Sequence, residues 1–337
     1  MNLVLEAHDI RAISIVFPLN PHQENEMQMC KITPQKLELL RTNSGIKRHF
    51  SADENTFSSD LACEALGTLL RENILHKDEL DMLLICSFSP DFLAPAMSSL
   101  VAKNLQLSSH TLCVDIVGFC PSFLSALSQA FLFLNHKDIS KIALICTNTK
   151  SKKIPPTDKI TYLNNSDSAS CVLLEKSSNP NKAAFSQKIF PALACEETKP
   201  LRAFNANAND FIEVNASLIL TFVSENFPLF FEEFLTSHKL KREAIGQFFF
   251  QSPNVFVKEK LMQNLHLNLP STDETLENFG DTTINKLPID LALCANLDSN
   301  SAGGGICLKT FISKLLLRDK KSFLRPLARE LPLMPCA

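Results

Sequence analysis

An α/β fold with a mixed sheet is predicted for this chain by three observations. Short apolar runs of strand length alternate with helical stretches between residues 58 and 175. The order helix, charged turn, apolar run and Ser-Pro occurs twice, ending at Ser89-Pro90 and at Ser252-Pro253, which reads as an internal duplication. Residues 112–134 join a β-rich run to a helix with almost no polar face, and a helix apolar all round is buried.

Taken in order, residues 1–20 open on a strand in which Ile13, Ile15 and Phe17 alternate. Residues 21–50 are polar and read as chain wandering over the surface. Residues 58–73 form an amphipathic helix through Leu61, Leu66, Leu69 and Leu70, and residues 82–88 a buried strand. A helix at 97–105 precedes the strand 112–117, a turn at Gly118-Phe119, and a helix running from Pro121 to about Leu134. Proline suits a first helical position because its missing N–H would be unsatisfied there anyway. About fourteen residues at 1.5 Å each give roughly 21 Å, enough to cross a domain core but too few apolar residues to span a bilayer.

Residues 141–147 are another buried strand, and 170–175 a hairpin strand after the loop 156–168. The stretch 176–208, rich in Ser, Asn, Pro and Lys, reads as a link between an N-terminal half (1–180) and a C-terminal half (181–337). Residues 210–238 are helical with a break at Pro228. Residues 247–251 read as a strand, 255–265 and 281–297 as helices, 306–311 as a strand, and Gly303–Gly305 as the loop before it. The tail after Ser313 is basic, then rich in Pro and Leu.

Composition narrows the function classes. The chain has 337 residues, 45% hydrophobic and 20% charged, as expected of a soluble globular protein with a large core. A net charge of −3 argues against general binding of nucleic acid or anionic membranes. Eleven scattered cysteines with no Cys-x-x-Cys pair form neither a disulfide framework nor a zinc site, so a reducing cytoplasm is the expected location. Glu6, Asp9 and Arg11 interrupt any apolar leader, so no signal peptide is read. The eight histidines show no metal-ligand spacing.

Cys120 is the candidate nucleophile. It stands just before the predicted helix, where the helix dipole favours a thiolate and first-turn N–H groups can hold an oxyanion. The competing reading is a small apolar core residue, since free cysteine is among the most buried residue types.

The run Asp115-Ile-Val-Gly-Phe-Cys120-Pro-Ser-Phe123 resembles the nucleophile segment of the β-ketoacyl-ACP synthase III branch of the thiolase-like superfamily. Further stretches fall in step: Ser44-Gly45-Ile46 where the family has Thr-Gly-Ile, Pro95 in its small-residue loop, and Pro156-Thr157-Asp158. Asp167-Ser168-Ala169-Ser170 then lies where the family has a Gly-Asp-Gly-Ala-Gly hairpin. The resemblance covers roughly residues 1–312. It implies a thiolase-like fold, two duplicated α/β halves in a layered α-β-α-β-α arrangement. It also implies an acyl group carried as a thioester on Cys120.

The same resemblance exposes departures. The family's His falls on Gln251, or on Phe250 if the match slides by one residue. The family's Asn falls on Asp281 of Gly280-Asp281-Thr282, a register that Pro288 supports. A glutamine amide donates to a carbonyl but carries no proton, and an ionised Asp281 would repel an enolate. Both argue against decarboxylative condensation and less against plain acyl transfer, with Asp281 as base for an alcohol or amine acceptor. The family's adenine-stacking Trp and its Arg fall on Leu39 and Asn43, and the chain contains no tryptophan. A carrier-protein phosphopantetheine arm is therefore favoured over a coenzyme A thioester as substrate, with no resident cofactor. Lys258 and Lys260 are candidates to touch an acidic acyl carrier protein, or are simply a solvated face. Eight glycines, well below the usual ~7%, hint at a remodelled site. Two readings stay open: a synthase III-like acyltransferase in fatty-acid or specialised-metabolite synthesis, or an inactive subunit partnering an active paralogue. The resemblance further implies a dimer, homo- or heteromeric, formed through the strand beside the nucleophile helix.

Overall fold

In the computed structural model of the chain, residues 2–18, 26–178, 184–188, 211–212, 215–268 and 273–297 are described. Strands β3 (Met82–Ser87) and β5 (Lys141–Asn148) lie inside a five-stranded sheet. Both of their faces are covered, so their sequences are unbroken apolar runs rather than alternations. The sheet order is β2-β6-β5-β3-β4, with β2 Asp9–Val16, β4 Leu112–Val117 and β6 Ser168–Glu175. β3 runs parallel to β4 and β5, while β6 pairs antiparallel with β5 and β2, so the sheet is mixed as predicted. A two-stranded ribbon joins β1 (Asn2–Glu6) to β7 (Ala184–Lys188), a strand within the predicted link.

Side chains alternate across β3. Leu83 and Ile85 meet Leu61, Leu66 and Leu69 of α3 (Ser58–Arg71) and Val101 of α4 (Met97–Asn104). Leu84 and Cys86 meet Phe123, Leu127 and Leu134 of α5 (Ser122–Leu134) on the other face.

Three expectations need correction. α5 is not buried all round: Leu124 and Leu132 are 37% and 50% exposed. α5 packs mainly over β5 and β3, and β4 beside it is the edge strand, with Val117 77% exposed, so one side of the helix is left uncovered. Nor do residues 26–44 wander over the surface; they form α1 (Glu26–Cys30) and α2 (Pro34–Ser44). α2 carries every local helix signal: Thr33 Oγ1 accepts from the Lys36 N–H (3.3 Å), Pro34 opens the helix, and Gly45 closes it at φ 72°. Third, the predicted strand 247–251 pairs with no strand among the described residues.

Helices fill the described C-terminal half. α7 (Ala216–Thr221) and α8 (Phe227–Ser237) are separated by a π-type turn at Phe222–Asn226, so the break falls beside Pro228 as predicted. α9 (Val255–Asn264), α10 (Glu274–Phe279) and α11 (Lys286–Leu297) follow. The predicted strand 306–311, the Gly303–Gly305 loop and the tail lie outside the described residues.

Candidate functional site

β4 hands the chain to α5 through residues 118–121. Gly118 donates its N–H to the Ser87 carbonyl (3.2 Å), and the Ser122 N–H closes the turn on the Phe119 carbonyl (3.0 Å). A Cβ at position 118 would overlap the Ser122 side chain, so this turn needs glycine. Pro121 sits immediately before the helix, not within it. Asp115 is a structural member of the motif: its carboxylate accepts from the Met97 (2.6 Å) and Ser98 (2.8 Å) N–H groups and anchors the start of α4.

Cys120 is half-buried, whereas Cys86, Cys146 and Cys171 are sealed inside the sheet. Contact with Cys86 and then burial push the Cys146 thiol up, and burial pushes that of Cys171 up. Of these thiols only Cys120 combines a helix start with access to solvent.

Phe119 packs edge-on against Phe88 (4.7 Å between centroids), and the Lys150 Nζ lies 5.7 Å from the Phe119 centroid. Lys150 follows β5 with its side chain only 4% exposed. Its ammonium donates to Asp281 Oδ2 (3.1 Å) and Thr283 Oγ1 (2.6 Å), while Asp281 Oδ1 accepts from the Thr283 N–H (2.9 Å). A buried ammonium persists only when paired and hydrogen-bonded, and an aromatic face adds attraction. Asp281, predicted as a site residue, is thus linked through Lys150 to the ring of Phe119, the residue before Cys120 in the chain. The negative charge expected at Asp281 is balanced by a cation that the sequence reading missed.

The turn bearing Asp281 is clamped from below. Its N–H donates to the Asn164 carbonyl (2.7 Å), and its carbonyl accepts from the Ser166 N–H (2.9 Å). Gly280 adopts φ 70°, and a Cβ there would stand 2.8 Å from the Asn164 carbonyl oxygen. Asn165 next door is held by His49, whose Nδ1 lies 2.9 Å from the Asn165 carbonyl and whose Nε2 lies 2.6 Å from Glu26 Oε1. The serines that replace family glycines are employed too. Asn285 Nδ2 donates to the Ser168 carbonyl (3.0 Å) and Ser170 Oγ donates to Asn285 Oδ1 (2.7 Å), tying the start of β6 to the turn before α11.

Gln251 ends the segment that joins no ladder. Cys294 of α11 lies 2.8 Å from Gln247 Oε1, and Phe249 packs on the cluster of Phe123 and Ile284. Phe248 and Phe250 point the other way, toward Phe231 and the Val223–Val257–Leu261 cluster. Gln251 itself is half-buried. Its Oε1 is buried without a hydrogen-bond partner, as are Ser252 Oγ and Thr282 Oγ1. The hydrogen bonds of Lys150 and Asp281 go to each other and to Thr283, not to Gln251.

Lys258 is no solvated docking lysine: its side chain is 14% exposed and its Nζ lies 3.2 Å from Asp273 Oδ2. Lys260 Nζ donates to Gln263 (3.3 Å) on its own helix. A cavity of about 480 Å³ opens between α2 and α10, lined by Glu38, Arg41, Lys47, Val255 and Glu277 among others. Its α2 side is the face of Glu38, Arg41 and Thr42; Leu39 and Asn43 do not line it, and neither does Cys120. No described helix is long and apolar enough to cross a membrane.

Residues 114–190, spanning β4 to β7 and including Cys120 and Lys150, match the family 3-oxoacyl-[acyl-carrier-protein (ACP)] synthase III. A β-ketoacyl-[acyl-carrier-protein] synthase III of Streptococcus sanguinis is 25% identical over 293 residues, covering 82% of this chain and 90% of that protein. A synthase III 2 of Bacillus anthracis is 21% identical over 90% of this chain and 93% of its own length. Among solved structures, a 3-oxoacyl-(acyl-carrier protein) synthase of Burkholderia xenovorans superposes with a TM-score of 0.74 at 20% identity, covering 87% of each chain. OleA of Xanthomonas campestris superposes with a TM-score of 0.75 at 15% identity, over 90% of this chain and 92% of that one. The chain thus has the thiolase-like fold of these synthases, and its segment 114–190 resembles theirs.

Proposed function

We propose that the chain is an acyltransferase that carries an acyl group as a thioester on Cys120, drawing it from a carrier-protein or coenzyme A thioester. The observation that carries this reading is the half-buried Cys120 at the start of α5, set among sealed cysteines. The Cys120 thiolate adds to the thioester carbonyl and the oxyanion forms. The carbon–sulfur bond to the carrier then breaks, the carrier thiolate leaves and takes a proton, and the acyl group stays on Sγ. Gln251 donates its amide to the acyl carbonyl. Asp281 takes the proton of an alcohol or amine acceptor in the second transfer. Since Gln251 carries no proton, decarboxylative condensation is not the reaction this set favours. An acyl carrier protein as donor, a dimer as the working form, a cytoplasmic location and a place in fatty-acid or related synthesis belong to the same reading.

One observation favours the second reading, a subunit without turnover that shapes a paralogue's pocket. The Asp281 carboxylate is engaged on both oxygens, by Lys150 and by the Thr283 N–H, which weakens it as a base. Intact-mass measurement after incubation with acyl-coenzyme A and acyl-carrier thioesters separates the two. The acyltransferase gives an acyl adduct that disappears in Cys120→Ala; absence of an adduct with every donor leaves the partner subunit.

A further inference from the structure

We infer that Lys150 is a positioning residue for Asp281: its ammonium holds the turn 280–283 in a strained left-handed conformation and so fixes where the carboxylate points. The inference rests on the reading of Asp281 as base in the second transfer and adds what aims it. It draws nothing from the surroundings of the Cys120 sulfur.

The strain is particular to this turn. Six non-glycine residues among those described have positive φ. Lys31, Asn73, Gln106, Lys239 and His266 each close a helix, where a left-handed residue is an ordinary cap. The sixth, Thr283, at φ 53° and 2% exposed, instead opens the turn that leads into α11. Its branched Cβ is what that region tolerates least. Such a residue persists only where its surroundings hold it, and strain of this kind gathers at working sites.

Three bonds close a ring around it. Lys150 Nζ donates to Thr283 Oγ1 (2.6 Å) and to Asp281 Oδ2 (3.1 Å), and the Thr283 N–H donates to Asp281 Oδ1 (2.9 Å). The neighbouring pins act on backbone: Asn164 and Ser166 hold Asp281, while the Asn285 N–H (3.1 Å) and Asn148 Nδ2 (3.3 Å) hold the Thr282 carbonyl. Those contacts place the chain; the ammonium takes hold of the two side chains. Lys150 can do so because it stands two residues past β5, which is laddered on both sides. Without the ammonium, Thr283 leaves its left-handed conformation and the Asp281 carboxylate turns toward water.

Amide hydrogen exchange of the full chain, read by mass spectrometry on peptides covering 280–285, tests this. In Lys150→Met those peptides exchange about tenfold faster, the factor that one unfavourable left-handed residue is worth. Peptides of β3 and β5 keep their wild-type rates. Adding Thr283→Asn restores most of the protection, because asparagine enters the left-handed region at less cost. An unchanged rate at 280–285, an equal rise throughout the sheet, or no rescue by Thr283→Asn overturns the inference. If Lys150→Met does not fold, Thr283→Val, which keeps the branched shape and loses the acceptor, decides the matter by the same local rise. Function is scored separately on chains acylated at Cys120. Release to an alcohol acceptor slows about tenfold in Lys150→Met and recovers with Thr283→Asn, and release at the wild-type rate in Lys150→Met overturns the positioning role. Absence of any adduct in the wild type sinks the reading of Cys120, and the exchange pattern alone then decides Lys150.

Discussion

Two stretches of the chain follow the same order and end in different surroundings. In the first, the turn Lys77–Glu79 leads to β3 and then to Ser89-Pro90; in the second, the turn Arg242–Ala244 leads to residues 247–251 and Ser252-Pro253. Every residue of β3 is buried, with β4 on one side and β5 on the other. Residues 247–251 carry a comparable apolar pattern, yet they are exposed or half-buried and have no ladder partner among the described residues. The difference teaches that an apolar run is a request for a strand, granted only where neighbouring strands take up its backbone groups.

The described end of the second half holds a cluster of buried charges, and breaking it gives the largest expected effect. The Lys286 ammonium, 1% exposed, is 2.8 Å from Asp290 Oδ2 and 3.2 Å from Asp273 Oδ2, and Lys258 reaches the same Asp273 oxygen at 3.2 Å. Removing one partner leaves buried charge uncompensated, so Asp273→Asn is expected to cost about 3–5 kcal/mol in chemical denaturation. The pH dependence has a definite sign. Burial pushes the Asp273 carboxyl up, but Lys286, the Leu276 N–H and Lys258 together hold it below its ordinary 3.8. Its contribution is therefore complete above pH 3.8 and is lost as pH falls through the lowered value. Denaturation curves at pH 7 and below pH 4 should show the gap between wild type and Asp273→Asn closing in acid.

The comparison sharpens with a matched pair of truncations. Leu84→Ala in β3 opens a cavity among Phe123, Leu144 and Val172 and is expected to cost about 2–5 kcal/mol. Phe249→Ala, the counterpart in 247–251, removes a half-buried ring at the margin of the same cluster. It is expected to cost about 1–2 kcal/mol, despite deleting the larger side chain. Equal costs, measured by urea midpoints at constant slope, would show that residues 247–251 are as firmly built in as β3.

The same contrast explains what the sequence could say. β3, β5 and α3 were legible because their apolar spacing matches what their neighbours bury. The turn at Cys120 was legible because Gly118, Cys120 and Pro121 are local signals. The helix at 34–44 was legible too, in Thr33, Pro34 and Gly45, but the polar composition of 21–50 drew attention away from those caps. Lys150 was not legible. In the run Lys150-Ser-Lys-Lys153 nothing local sets the first lysine apart. Lys152 reaches the Asp53 and Glu54 carbonyls at the surface, while Lys150 turns inward to residues 131 and 133 positions away. Its partners exist only once residues 281–283 come back against β5. The exposed face of α5 was hidden for a related reason, because sheet order, not composition, makes β4 an edge.

Glycine supplies the smallest expected effect and the finest form of the comparison. Gly45 and Gly280 both adopt φ near +70°, each in one half of the chain. A side chain at Gly45 would meet Val255 first at Cγ2, a methyl that truncation removes; one at Gly280 would meet the Asn164 carbonyl oxygen, which is fixed by its bond from the Asp281 N–H. Either alanine is penalised by about 1–2 kcal/mol for the left-handed backbone. At Gly45 that is nearly the whole cost once Val255→Ala accompanies the change, beyond what Val255→Ala costs by itself. At Gly280 no side-chain change relieves the clash, so the turn must shift and carry Asp281 away from Lys150. Gly280→Ala is therefore expected to slow acyl release from Cys120 to an acceptor, whereas Gly45→Ala with Val255→Ala is not. Equal release rates in the two variants would mean that the Asp281 turn tolerates displacement, and that its tight seating serves the fold rather than the site.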